Sequence, residues 1–280
     1  MRPLISRNPE KAFVHCAGMS LIEAVLVIVV IGVIGTGLTV FLLSPVSGYA
    51  DTVRRLQLVE QADFALRRMS RDLGGALPNS VRTTTSGQDS ILEFLNVRSA
   101  ARYCDGVGCG GPLFDVNNEF AWLSPAGLSV VAGDFIVVAN GVNSDCDAYA
   151  TSPNNRRTVV STTGNSITFI GVAFSSGCKE SSRRFFVVDG PVAYACEAAS
   201  STLWRYSGYA IQPAIASSIS ALNLLSGLVK ARLATDVQCA STGFNITATN
   251  ENLIELRIQL VSNSGEKVNL YRQLRLEQAI

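Results

Sequence analysis

The pattern of hydrophobic and polar positions divides the chain into four stretches, beginning with a polar segment and a long apolar run. Residues 1–18 are polar and carry three basic side chains against one acidic side chain. From Ala24 to Ala50 no side chain is charged. A helix over residues 24–44 would extend about 32 Å, close to the thickness of a bilayer core. This pattern predicts a basic leader over residues 1–18 and a membrane-spanning helix over residues 19–44.

The third stretch, residues 45–75, continues the helix with a different pattern. Pro45 and Gly48 predict an interruption or a kink. Apolar side chains then return every three or four residues, which predicts an amphipathic helix that ends at Gly74 and Gly75. Five arginines alternate with acidic residues there, as on a solvated face or a subunit contact. We expect the apolar stripe to pack under the following domain; it comprises Val53, Leu56, Val59, Ala62, Leu66, Met69 and Leu73.

The fourth stretch, residues 76–280, has short apolar runs bounded by Gly, Asn, Ser and Pro, the pattern of an antiparallel β-rich head. Residues 214–233 are mixed and predict a short helix or a loop. The expected architecture is one head domain packed on the long helix, an α+β fold. The predicted strands are Ile91–Val97, Phe135–Ala139, Thr158–Thr162, Ser166–Ile170, Arg184–Val188, Val192–Cys196, Leu203–Tyr206, Leu253–Leu260 and Lys267–Leu276.

Charge and composition narrow the classes of function. The formal net charge is +1, which argues against a nucleic-acid partner held by bulk electrostatics. The chain has one histidine, His15, and it lies in the predicted leader. Without it the rest of the chain lacks the commonest general base and the commonest metal ligand. We therefore predict a non-enzymatic protein without cofactor and without a metal site.

Two short segments suggest weaker alternatives. Residues 105–111 are rich in glycine, but they lack the setting and the ending of a phosphate-binding loop, so a structural turn is the better interpretation. Residues 143–147 offer oxygen atoms that suit calcium, a minor alternative.

The cysteines predict disulfides in an oxidising compartment. One of the seven, Cys16, precedes the apolar run, and six follow it. An even number beyond a membrane segment favours disulfides over a metal site, because no close CxxC pair is present. The glycine-rich spacer between Cys104 and Cys109 predicts a bond between these two. The other four allow three pairings, which stay open at this point: Cys146, Cys178, Cys196 and Cys239.

The basic residues before the apolar run predict that the N-terminus stays in the cytoplasm and that the head is exported. A cleavable secretory signal has a shorter apolar run, and a plain single-pass anchor is the other alternative. Neither explains Glu23, a carboxylate at the edge of an apolar helix that would be costly there without a partner.

The segment Gly18-Met19-Ser20-Leu21-Ile22-Glu23-Ala24 resembles the processing site of type IV prepilins. The resemblance implies that a prepilin peptidase cuts after Gly18 and that Met19, where the family usually has phenylalanine, is then N-methylated. It also implies that Glu23 pairs with the α-amine of a neighbouring subunit during assembly.

Longer phrases resemble large minor subunits of mannose-sensitive haemagglutinin (MSHA) pili, related in build to J-type minor pseudopilins. The phrases are residues 65–73, 76–82, 185–194 and 203–206. The resemblance implies a pilin-like fold in which a long helix packs on a mainly antiparallel sheet. It also implies a role in pilus assembly, with other pilins and an inner-membrane assembly platform as partners, and a location in the inner membrane and then in a filament or at its tip.

Three other functions stay open as alternatives. The first is a minor pseudopilin of a type II secretion system. The second is an adhesive head at a filament tip, with the loop around Cys104 to Cys109 as its contact surface. The third is a membrane-anchored hydrolase, for which no catalytic constellation is evident.

Overall fold

The computed structural model describes most of the chain from Gly18 onward. At residues 39–47 and 246–249 only the backbone is described. The described ranges are 18–105, 113–114, 116–123, 129–141, 146–151, 155–179, 181–240, 244–249 and 253–275. They form two compact units, one up to Arg54 and one from Arg55 onward.

The first described element is a 54-residue helix, α1, Leu21–Gly74, which contributes residues to both units. Of the two predicted outcomes at Pro45 and Gly48, an interruption is wrong, because α1 runs through both residues without a break, and a kink stays a prediction. A proline removes only one backbone donor from a helix, and the hydrogen bonds on either side can carry the helix past it. The helix ends at Gly74, as the sequence predicts.

Besides the end of α1, the described part of the second unit holds twelve strands, a short α-helix, α2, Ile219–Asn223, and two 3-10 turns. The fold is therefore α+β. The strands are β1 Arg82–Ser86, β2 Asp89–Tyr103, β3 Glu119–Leu123, β4 Phe135–Val138, β5 Arg156–Thr163, β6 Ser166–Ile170, β7 Arg184–Glu197, β8 Thr202–Ser207, β9 Val229–Ala234, β10 Phe244–Thr249, β11 Leu253–Val261 and β12 Lys267–Arg275.

The described strands form a nine-stranded sheet and a three-stranded sheet, β10-β11-β12, with antiparallel pairing throughout. The large sheet has the order β1-β2-β3-β6-β5-β4-β7-β8-β9, and β2 also pairs with β7. This extra pairing closes six of the strands into a barrel in the order β2-β3-β6-β5-β4-β7. The sequence does not predict this closure, since it depends on pairings between distant segments.

The two long strands β2 and β7 join the barrel to the rest of the large sheet. They pair with each other along nearly their whole length, with a bulge between Asn96 and Ser99. The second half of β2 and the first half of β7 belong to the barrel. Their other halves pair with β1 and β8.

Strand β7 is continuous where the sequence predicts two separate strands, Arg184–Val188 and Val192–Cys196. On one side of β7, β4 pairs with residues 185–188 and β8 pairs with residues 192–197. Gly190 and Pro191 therefore pair with β2 on one side and with no described strand on the other. A proline fits a strand where a ladder bond is not needed, and Gly190 adopts the positive φ of 137° that the bend requires.

The main core lies between α1, one face of the β1-β2-β7-β8-β9 part of the large sheet, and the inner face of the three-stranded sheet. The helix contributes small and medium side chains that allow a close approach, and Ala62, Ala65 and Met69 are fully buried. The predicted stripe is wrong at Leu56, which is 56% exposed, whereas Leu58 is buried. The buried face of the helix therefore centres on residues 58–73, and Leu56 lies on the opposite face.

The barrel has a separate core that is rich in aromatic rings. Phe120 is fully buried and packs edge-on against Phe185, with the ring centroids 5.3 Å apart. Tyr103 and Phe169 contact the same ring at 6.4 and 6.2 Å. Aromatic packing of this kind fills a small barrel without leaving room for a channel.

Candidate functional site

The predicted processing segment is exposed at the start of α1. Residues 18–20 precede the helix, and Leu21 is its first residue. Gly18 and Met19 are exposed, and among the described atoms none lies within 4 Å of where a Cβ on Gly18 would sit. Among the described residues, none therefore covers Gly18 or Met19.

Glu23 lies in the first turn of α1 and is exposed. A carboxylate in the first turn interacts favourably with the unpaired N–H groups and the dipole of the helix. A new α-amine at Met19 would lie four residues before Glu23. The carboxylate is open to a cation of its own chain or of a neighbour.

The residues after Glu23 form an apolar surface on which no other described residue packs. Among the described residues, one helical window, Leu21–Leu38, is long and apolar enough to cross a membrane, with a mean hydropathy of 2.6. None of that window is buried. Burying exposed apolar side chains is worth about 25 cal/mol per Å², so this surface favours lipid or other helices over water.

Two disulfides among the described residues settle pairings that the sequence leaves open. Cys146 bonds to Cys178 and Cys196 bonds to Cys239. Cys104 is disulfide-bonded as well. Cys109 lies outside the described residues, so the bond between Cys104 and Cys109 stays a prediction.

Other predicted features also lie wholly or partly outside the described residues. They include most of the leader with His15 and Cys16, the glycine-rich residues 106–111 and most of the oxygen-rich segment 143–147. Asp147 is described, and its Oδ1 accepts a hydrogen bond from the Tyr149 amide. Within the described ranges there is no group of three or more His, Cys, Asp or Glu side chains that could hold a metal ion.

A charged cluster that the sequence did not predict fixes the end of α1 to the sheet. Asp72 Oδ2 accepts hydrogen bonds from Tyr194 Oη at 2.8 Å and from Arg205 Nε at 2.6 Å, and Arg68 lies 3.2 Å from Oδ1. Burial raises the pKa of Tyr194, and the Asp72 carboxylate raises it further. Burial lowers the pKa of Arg205, but the interactions with Asp72 and Tyr194 together outweigh this effect, so the Arg205 pKa is raised.

A second unpredicted cluster surrounds Glu93, a carboxylate on β2 that is only 1% exposed. It accepts hydrogen bonds from Arg82 Nε at 2.8 Å and from Tyr209 Oη at 2.7 Å. Arg82 also donates to the carbonyls of Gln212 and Pro213, and its guanidinium lies 3.5 Å from the ring centre of Tyr149. The cluster ties two separate segments, residues 209–213 and the segment that holds Tyr149, to the β1–β2 hairpin.

Replacing Glu93 with glutamine should therefore lower the free energy of unfolding by about 3–5 kcal/mol, because Arg82, whose side chain is only 19% exposed, would lose its counter-charge. Denaturant unfolding of the full chain in detergent checks this. The matched control, Glu255→Gln, changes an exposed carboxylate on β11 and should stay within about 0.5 kcal/mol of the parent. Equal stability of the two variants would contradict the role given to Glu93.

Comparisons with known proteins leave the family of this chain undefined. No family model matches it, and neither a curated protein nor a solved structure matches it. The fold and the site define the class only as an α+β protein with one exposed apolar N-terminal helix, a mostly antiparallel sheet and disulfides.

Proposed function

We propose that this chain is a type IV pilin-like subunit, made as a precursor and held in the inner membrane by the first part of α1 until it enters a filament. The observation that carries the proposal is the segment Gly18–Glu23. An exposed glycine precedes α1, and an exposed carboxylate lies in its first turn. The apolar helical residues that follow are exposed as well. A plain anchor would need neither the glycine nor the carboxylate.

Within that class, we propose a minor subunit of an MSHA-type pilus, similar to the family's biogenesis protein O, that takes part in priming filament assembly. The phrases in residues 65–73 and 185–194 support this proposal. They lie where the structure has the end of α1 and the two halves of β7, which are buried elements of the head. A six-stranded barrel added to the sheet makes the head large, which suits a rare or terminal position better than every position of a thin filament.

The proposed topology places the N-terminus in the cytoplasm and the head in the periplasm. The disulfides support this arrangement, because such bonds persist in oxidising compartments. The partners would be other pilins, a prepilin peptidase and an assembly platform. The protein would act by packing, without enzymatic activity and without a cofactor.

Deletion of the gene tests this function against its alternatives. We expect loss of filaments in the deletion strain and their recovery when the full chain is supplied. A strain with normal filaments that no longer adheres would favour a tip adhesin. A strain with normal filaments and blocked secretion would favour a minor pseudopilin of a type II secretion system.

A further inference from the structure

Strand β1 is the first strand of the large sheet, and one of its edges has no described partner strand. The loop that joins β1 to β2 has two residues, so Ser86 and Asp89 form the first hydrogen-bonded pair of the hairpin. Hydrogen-bonded and non-hydrogen-bonded pairs alternate along an antiparallel ladder. The N–H and C=O groups of Thr83 and Thr85 therefore face away from β2, toward the open edge.

The side chains of Thr83 and Thr85 lie on the core side of the sheet, but the core does not cover them. Each shares a face with the residue opposite it on β2, which is Leu92 for Thr83 and Ser90 for Thr85. Leu92 is fully buried in the main core, whereas both threonines are exposed. The main core therefore stops short of β1.

A cavity of about 370 Å³ lies next to this uncovered part of the sheet, between the β1–β2 hairpin and the segment that enters β10. On the β10 side its described walls are Cys239, Ala240, Phe244 and Asn245. Cys239 and Phe244 are buried, and Asn245 is exposed. The cavity and the open edge of β1 together form what we call the edge groove. It combines free backbone groups with a pocket that has both polar and apolar walls.

The chemistry of the edge groove favours an extended peptide over other ligands. None of the described lining residues is basic, so a phosphate or another anion would find no counter-charge. The one aromatic ring among them, Phe244, is buried, so a sugar would find no open ring face. The free backbone groups of Thr83 and Thr85 repeat at the spacing of a strand, which a second extended backbone matches.

The edge of β1 also lacks the protection that sheet edges usually carry. Exposed charged side chains, lysine above all, and proline block unwanted pairing at an edge strand. The other described edge of the large sheet, β9, has exposed Lys230 and Arg232. On β1 the only charged residue is Arg82, whose guanidinium is held by Glu93. An unprotected edge beside a cavity indicates a strand that pairs with a partner.

We propose that the edge groove binds an extended segment of a different protein, which adds to β1 as a further strand of the large sheet. The backbone of the segment pairs with the free groups of Thr83 and Thr85. Every second side chain of the segment points into the cavity, and these side chains are small and uncharged, such as valine or threonine. The choice of a different protein rests on the proposed function, since a rare or terminal subunit meets other proteins more often than copies of itself.

Photo-crosslinking in membranes of cells that naturally produce the protein tests the contact. The full chain carries the substitution Asn245→p-benzoylphenylalanine, which places the reactive group in the wall of the cavity that faces β1. We expect an adduct with one other protein, and peptide mass spectrometry identifies the segment that is joined. The matched control, Glu255→p-benzoylphenylalanine, has the same group on the exposed face of β11 and should not give that adduct.

Substitutions on β1 in the same chain separate backbone pairing from side-chain contact. Thr85→Pro removes an N–H that faces the open edge and keeps the ladder to β2, so the adduct should fall about tenfold or more. Thr83→Pro removes the second such N–H and should act in the same way. Thr85→Val keeps the N–H and the size of the side chain, so its adduct should stay within about twofold of the parent.

Thermal unfolding of the purified variants shows whether the proline substitutions leave the head folded. If both proline variants unfold early, hydrogen exchange of the parent chain decides the question. The amides of Thr83 and Thr85 should exchange about tenfold or more slowly in membranes that contain the partner than in the purified chain. Equal exchange in the two samples would contradict strand addition.

The other outcomes are equally decisive. An adduct that persists in folded proline variants overturns strand addition, as does a parent chain that gives no adduct or an adduct with a lipid or a sugar. An adduct with a second copy overturns the choice of partner. The N-terminus is sequenced on the same samples. A chain that begins at Met19 and gives no adduct leaves the proposed function standing, whereas a chain that begins elsewhere overturns that function while the adduct still tests the groove.

Discussion

Replacing Glu23 with alanine is expected to leave the protein in the membrane and to remove it from filaments. The apolar window Leu21–Leu38 does not include any other charged side chain, so the change makes insertion easier. In the proposed filament the helices leave the lipid, and the α-amine of Met19 becomes surrounded by apolar side chains. Without Glu23 that amine would be buried with no counter-charge.

A buried charge that loses its partner costs about 3–5 kcal/mol, which corresponds to a fall in incorporation of about a hundredfold or more. The measurement is the amount of the protein in sheared filaments relative to the membrane fraction. Glu23→Gln keeps the shape and should fail in the same way, whereas Glu255→Ala on the exposed face of β11 should assemble normally. Normal incorporation of the Glu23 variants would show that the carboxylate does not act in assembly.

Removing the bond between Cys196 and Cys239 is expected to destabilise the head strongly. Cys196 is fully buried on β7 and Cys239 is nearly so, and both belong to the main core beside α1. The bond ties the large sheet to the segment that leads into β10. It spans 43 residues, for which the loop-closure relation gives about 4 kcal/mol.

The variant Cys196→Ala/Cys239→Ala should therefore unfold roughly 10 °C lower than the parent chain. The comparison is Cys146→Ala/Cys178→Ala, which opens a bond of similar span, 32 residues. Thermal unfolding of both full-length variants in the same detergent gives the difference. If the free energy of unfolding fell by less than about 1 kcal/mol on loss of Cys196 and Cys239, the packing of the core, and not the bond, would stabilise the contact between the two sheets.

The sequence predicts the local features of this chain better than their assembly. The end of α1 at Gly74 follows from a periodic helix stopped by two glycines, and β6 has the predicted bounds because turn residues flank it. Four strands were missed: β1, β3, β9 and β10. All four are short and only five or six residues long. Short polar or mixed segments of this kind become strands only through their partners.

Barrel closure and the two polar clusters lie beyond what a single sequence shows. The Asp72 cluster joins residues more than 120 positions apart, and the cluster around Glu93 is similarly distant. No local pattern marks such pairs in advance. The processing segment is different, because Gly18, Met19 and Glu23 lie within six consecutive residues and carry their signal locally. The structure adds that this segment is exposed.

The most direct test of the proposed function is the N-terminal sequence and intact mass of the protein isolated from membranes. The account predicts a chain that begins at N-methylated Met19 and has all six remaining cysteines oxidised. A chain that begins at Met1 would indicate a simple anchor. A chain that begins inside or beyond the apolar run would indicate a conventional secreted protein, and either result would contradict a filament subunit.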